Sequence, residues 1–99
     1  MSKKLSEVLS ENEKVLVKFG ASWCGPCRVM GKRIDKMVKG GFEEKTSTKT
    51  FSVDIEEQAG VGIDYKIKGI PTFVFFKNGV EQSRVNGIKS IADFEKMVE

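Results

Sequence analysis

Apolar and polar positions follow two different rhythms along this chain, and the changes of rhythm divide it into elements. Leu5, Val8 and Leu9 recur three and four residues apart within Lys3 to Glu11, which predicts a short amphipathic helix. Lys14 to Gly20 follows, where Val15-Leu16-Val17-Lys18-Phe19 is a nearly continuous β-branched and apolar run with Lys18 as its exception. Such a run predicts a strand covered on both faces, in a sheet with helices on each side. From Cys24 to about Lys39 the period is helical again. Cys27, Met30, Ile34, Met37 and Val38 form an apolar stripe, and Arg28, Lys32, Lys36 and Lys39 form a basic one that reads as a solvated face. Pro26 suits the first turn of this helix, and Gly40-Gly41 supplies its stop, because glycine reaches left-handed geometry without a Cβ clash.

Phe42 to Thr50 reads as a polar connection anchored by Phe42, Thr50 to Ile55 as the next strand, and Glu56 to Tyr65 as a short helix weakened by Gly60 and Gly62. Thr72-Phe73-Val74-Phe75-Phe76 is a strand whose aromatic residues belong to the core. Asn78-Gly79 is a hairpin signal, and Val80 to Asn86 is the returning, antiparallel strand. Ser90 and Asp93 form a capping box with Asp in place of the usual Glu or Gln, opening a last helix with Ile91, Phe94 and Val98 on its inner face. There is no internal repeat, low-complexity tract or linker, so one domain is expected over residues 1–99.

Charge and residue usage narrow the chemistry. The 99 residues carry 17 Lys and Arg against 14 Asp and Glu, for a net charge of +3, and the two signs are interspersed. That balance favours solubility over nucleic-acid binding. Met1 to Asn12 lacks the continuous apolar run of a signal peptide or membrane span, so the expected location is the cytoplasm. Histidine is absent, which removes Cys-His nucleophiles and Ser-His-Asp triads, and leaves sulfur as the reactive element.

The two cysteines, Cys24 and Cys27, stand at the junction of the first strand and the long helix, with Gly25 and Pro26 between them. A helix N-terminus presents unpaired N–H groups and partial positive charge, which favours thiolate over thiol at the first sulfur. Cys24 is thus the expected nucleophile and Cys27 the resolving thiol, with Arg28 adding to the positive field. A structural zinc site needs four ligands and finds two thiols here, and an inert disulfide would close only a tiny loop. Neither metal nor organic cofactor is required.

The run Phe19-Gly20-Ala21-Ser22-Trp23-Cys24-Gly25-Pro26-Cys27-Arg28, then Gly69-Ile70-Pro71-Thr72, then Phe76-Lys77-Asn78-Gly79, resembles the thioredoxin family in content, order and spacing, from about Val15 to the C-terminus. The resemblance implies an α/β, thioredoxin-like three-layer sandwich and a protein-disulfide reductase that is reset by a thioredoxin reductase, with no cofactor of its own. It also implies a cis Ile70–Pro71 bond beside the cysteines and backbone near Ile70 that pairs with an extended substrate. Trp23, Pro71 and the Gly87-Ile88 turn would rim a shallow apolar groove. Gly25 and Pro26 would tune the redox pair. The expected partners are protein disulfides and the reductase, without nucleic acid or membrane, and the expected state is a monomer.

The chain departs from the family pattern behind the motif. Lys18 occupies the position of a usual buried aspartate, Ser52 that of a frequent lysine, and a tryptophan near Gly20 and a proline near Lys32 are missing. Too few residues precede Val15 for the family's first strand, so a four-stranded mixed sheet is expected. Two placements of Lys18 are open: an ammonium near the sulfurs that stabilises thiolate, raises the reduction potential and removes a base, or a stem that snorkels to water. Two other functions are consistent with the motif: a glutaredoxin-like, glutathione-dependent reductase, against which Gly25-Pro26 argues, and a binding module of a larger assembly.

Overall fold

The structure, a computed structural model, describes residues 4–99. Its elements are α1 (Leu5–Glu11), β1 (Lys14–Gly20), α2 (Gly25–Lys39), α3 (Phe42–Thr46), β2 (Lys49–Asp54), α4 (Ala59–Asp64), β3 (Thr72–Lys77), β4 (Val80–Asn86) and α5 (Ile91–Met97). Lys3, the predicted start of the first helix, lies outside the described residues. The four strands form one mixed sheet in the order β2-β1-β3-β4. β1 runs parallel to β2 and antiparallel to β3, and β3 pairs antiparallel with β4.

Period-two alternation in the central strands sorts the core into two layers. Val15, Val17 and Phe19 of β1 and Val74 and Phe76 of β3 pack with Leu5 and Val8 of α1, and with Val61 and Tyr65 at α4. Leu16, Phe73 and Phe75 face the other way, onto Met30 and Met37 of α2, Phe42 of α3, and Phe94 and Val98 at α5. Both faces of β1 and β3 are therefore covered, as continuous apolar runs require. Phe19, Phe73 and Phe94 are fully buried, each stabilising the fold by about 2–3 kcal/mol through area removed from water. Asn78 and Gly79 turn the β3–β4 hairpin in two residues, both at positive φ.

Several local expectations change. Residues 42–46 form a helical turn rather than a polar connection. Gly41 enters it at φ +97, Phe42 anchors it in the core as expected, and Glu43 and Glu44 favour its N-terminus. The left-handed residue that ends α2 is Gly41, since Gly40 sits at φ −79. β2 starts and ends one residue earlier than predicted. α4 starts at Ala59 instead of Glu56, because the Asp54 carboxylate accepts the N–H groups of Glu56 and Glu57, at 2.8 and 3.2 Å, and holds them in a turn. In α5, Phe94 and Val98 face the core, but Ile91 does not and is exposed. As residue N1 of that helix it precedes the first complete turn, and its side chain falls at the margin between α5 and α2.

Candidate functional site

β1 delivers the chain through Gly20 into a turn in which Cys24 N–H donates to the Ala21 carbonyl at 3.2 Å. Cys24 then becomes the N-cap of α2, with extended backbone at φ −84, ψ 114. Its sulfur accepts the backbone N–H of Cys27 at 3.2 Å, which serves as the side-chain cap. Pro26 occupies the first turn, where its missing N–H leaves no helical bond unmade. Cys24 and Cys27 are joined in a disulfide with Cα atoms 5.2 Å apart. Both are buried, while Ser22, Trp23, Gly25 and Pro26 around them are exposed.

Across the sheet end, Ile70 packs on the cluster of Ala21, Cys24 and Cys27. Ile70–Pro71 is a cis peptide bond, as the family resemblance implies, and Pro71 is buried. The Pro71 carbonyl accepts the N–H of Gly87 at 3.0 Å, and the Asn86 amide donates to the buried Thr72 hydroxyl at 2.7 Å. Gly87, at φ +84, turns the chain so that Ile88 is left half-exposed. Two further bonds fix this turn against α2: Lys89 N–H donates to the Met30 sulfur at 3.4 Å, and the Arg33 guanidinium donates to the Lys89 carbonyl at 2.7 Å. Trp23, with 66% of its surface exposed, stands beside Cys24.

Lys18 is half-buried on the α2 side of the sheet. Its ammonium donates to the Cys27 carbonyl oxygen at 3.1 Å, so the head is turned toward the motif rather than free in solvent. Burial pushes its pKa below the ordinary 10.5, with the nearby Asp35 carboxylate acting in the opposite direction. Two glycines make the room. A Cβ on Gly31 would lie 3.1 Å from Lys18 Nζ, and one on Gly20 would lie 3.1 Å from Cys27 Sγ and 3.5 Å from Lys18 Cε. Ser52 is the register partner of Lys18 on β2 and is exposed. Lys18 also lines two clefts that open on that edge, one with Asp35, Lys39 and Ser52, the other with Asp54 and Glu57.

The fold thus brings together Cys24, Cys27, Ile70, Pro71 and Gly87, with Lys18 directly behind Cys27. Arg28 is exposed, and only its backbone N–H, bonded to the Cys24 carbonyl at 3.1 Å, contributes to the turn. Sequence reasoning overlooked Gly20, Gly31 and Arg33. Gly31 carried a signal, because glycine in mid-helix costs about 1 kcal/mol relative to alanine and needs a packing reason. Nothing local marked Arg33, whose partner is 56 residues away. Among the described residues no three metal-ligating side chains converge, and no helix is long and apolar enough to cross a membrane.

A disulfide capping the helix that follows a central strand, with a cis-proline loop against it, defines a thiol–disulfide oxidoreductase. The family model for thioredoxin matches residues 2–99, and the chain belongs to the thioredoxin family. It is 35% identical over 97 residues to the thioredoxin of Mycoplasma pneumoniae, covering 97% of this chain and 90% of that protein. It is also 37% identical over 83 residues to the thioredoxin of Rickettsia felis, covering 84% and 76%. Among solved structures, a mutant thioredoxin from Halobacterium salinarum superposes with a TM-score of 0.84 at 26% identity, covering 99% of this chain and 82% of that one. The family assignment and the four-stranded mixed sheet flanked by helices agree with the sequence reading.

Proposed function

We propose that this chain works in the direction of protein-disulfide reduction, with Cys24 as attacking and Cys27 as resolving sulfur. The observation that carries the assignment is the Cys24 sulfur at the α2 N-cap, accepting the Cys27 N–H. A thiolate there is favoured by the N–H groups and the helix field. In the reduced protein, the Cys24 thiolate attacks one sulfur of a substrate disulfide, forming a mixed disulfide and expelling the other substrate sulfur as thiolate. The Cys27 thiolate then attacks Cys24 sulfur, closes the Cys24–Cys27 bond and releases the second substrate thiolate. Two electrons from a thioredoxin reductase restore the dithiol.

In this reading Trp23, Ile70, Pro71, Gly87 and Ile88 bind the substrate segment. The exposure of Trp23 and Ile88 beside buried cysteines supports that role, as does the packing of Ile70 on the sulfurs. Lys18 tunes the pair through its charge, supported by its bond to the Cys27 carbonyl. Gly25, Pro26 and Arg28 shape the helix start. The same reading has the protein act as a single-domain cytoplasmic monomer. Relatives named mitochondrial and chloroplastic thioredoxins are among the matches, so cell fractionation and light scattering are the direct tests of location and state.

The functional test supplies NADPH and a thioredoxin reductase together with an oxidised protein substrate. Turnover is expected, and Cys27→Ser is expected to accumulate a mixed disulfide through Cys24. Turnover supported only by glutathione and glutathione reductase would overturn the assignment.

A further inference from the structure

We propose that the cleft between α2 and the start of α5 is a docking site for an acidic segment of the disulfide substrate, a segment that also carries an apolar side chain. The proposal rests on the thiol–disulfide reading and names the class of substrate that the active site is offered.

The cleft, about 610 Å³, is lined by Val29, Lys32, Arg33, Lys36, Ser90 and Ile91. Two large apolar side chains are solvent-facing there, Val29 at 49% and Ile91 at 36% exposure. Val29, Lys32 and Lys36 recur three and four residues apart, so they share one face of α2. Among the described residues neither Lys32 nor Lys36 forms an ion pair. Arg33 is anchored to the Lys89 carbonyl and makes one wall. Among the described residues no carboxylate lines the cleft. Asp93, three residues after Ser90, is turned back onto the α5 N-terminus, accepting the Ser90 N–H at 2.8 Å. An apolar floor with unpaired cations around it is complementary to an apolar residue flanked by carboxylates.

The cleft also continues the active site. Val29 lies five residues beyond Cys24, about 7.5 Å along the helix, and Lys36 about 18 Å. Ile91 follows Ile88 by three residues, on the segment that Met30 and Arg33 hold against α2. An extended segment of about five residues spans from Cys24 to Lys36. A substrate whose reactive cysteine sits at Cys24 would therefore lay the next several residues in the cleft.

The experiment uses the full chain, reduced beforehand, and peptide disulfides with six-residue tails. One tail is Glu-rich with a central Leu, and the other replaces every Glu by Lys. At low ionic strength the acidic tail is expected to give a KM about tenfold lower at similar kcat, and 0.5 M salt should shrink that ratio below about threefold. The double variant Lys32→Glu/Lys36→Glu is expected to abolish or reverse the preference. Val29→Ser/Ile91→Ser should raise KM for the acidic tail about threefold to tenfold. Hydroxyethyl disulfide, which has no tail, should be reduced at the same rate by all forms. Equal KM values for the two tails in the unmodified protein, within about twofold, would overturn the proposal. So would a preference that survives the charge reversal, or tighter binding of a single-stranded oligonucleotide than of the acidic peptide. Failure of the unmodified protein to reduce hydroxyethyl disulfide would instead defeat the oxidoreductase reading beneath it.

Discussion

The Lys18 ammonium donates a hydrogen bond to the Cys27 carbonyl oxygen at 3.1 Å, placing a positive charge of β1 against the helix turn that carries the second sulfur. On the proposed function, reduction of the disulfide creates thiolate character close to that charge, so Lys18 is expected to stabilise the reduced state more than the oxidised one. Lys18→Met keeps the stem and removes the charge. The expected result is a reduction potential lower by about 20 mV or more against a glutathione buffer; a change inside about 10 mV, worth only about 0.5 kcal/mol, would remove Lys18 from the redox machinery.

The same side chain makes stability depend on pH. Burial holds its pKa below 10.5, so the folded oxidised protein disfavours the charged form. The penalty is complete at neutral pH and is relieved as pH rises through the folded pKa toward 10.5. Lys18→Met is therefore expected to be the more stable form at pH 7, with the gap narrowing as the pH approaches 10.5 in chemical denaturation. A gap that widens with pH would contradict this.

Gly31→Ala tests the pocket from the helix side. A Cβ there meets only the flexible end of Lys18, at 3.1 Å, so the lysine gives way. Helix propensity then stabilises the protein by up to about 1 kcal/mol. The potential should shift in the direction of Lys18→Met, by less.

Gly20, ahead of the motif, and Gly25, between its cysteines, answer differently to a methyl group. At Gly20 a Cβ would crowd Cys27 Sγ at 3.1 Å and Cys27 Cβ at 3.3 Å, within the buried cluster. Gly20→Ala is expected to cost about 1–3 kcal/mol, read as a lower thermal midpoint. Gly25 has open space at its Cβ position, so Gly25→Ala should leave stability within about 0.5 kcal/mol.

Arg84 fastens the loop that leads to Ile70–Pro71. Its guanidinium makes two bonds of 2.7 Å to the Glu81 carboxylate and donates to the carbonyls of Tyr65 and Lys66, at 3.0 and 3.3 Å. Arg84→Ala is expected to cost about 1–2 kcal/mol and to raise amide exchange in residues 65–71. The Arg84 hydrogen bonds hold the Glu81 carboxyl below its ordinary 4.5, so its contribution is present above that pH and fades as the pH falls through the lowered value. Glu81→Gln should accordingly flatten the acid limb of the stability curve.

How much of this was legible in the chain depends on the range of the interaction. The central strands were readable because Val15 to Phe19 and Thr72 to Phe76 are continuous apolar runs, and such runs need cover on both faces. The hairpin was readable because Asn78 and Gly79 tolerate positive φ, and the start of α5 because Ser90 and Asp93 cap each other within three residues. Residues 42–46 were misread, since their helical turn depends on Phe42 reaching a core whose walls come from β1, β3 and α5. Ile91 was misread for the opposite reason: its spacing from Phe94 suits an inner face, but at the first position of α5 it falls between two helices rather than beneath one.

The sequence by itself determined the chemistry and the class. With two thiols, no histidine and a helix start at Cys24, thiol–disulfide exchange was the reaction available, and the Ile70-Pro71-Thr72 segment pointed to the thioredoxin fold. Only the tertiary structure decided which way Lys18 points, because that depends on space left by Gly20 on one strand and Gly31 on a helix. It likewise decided that Val29 and Ile91, 62 positions apart, share one cleft. Local backbone preferences are carried by neighbouring residues and can be read along the chain. A charged head against a carbonyl, or two apolar side chains across a helix seam, exists only after packing has fixed the distances.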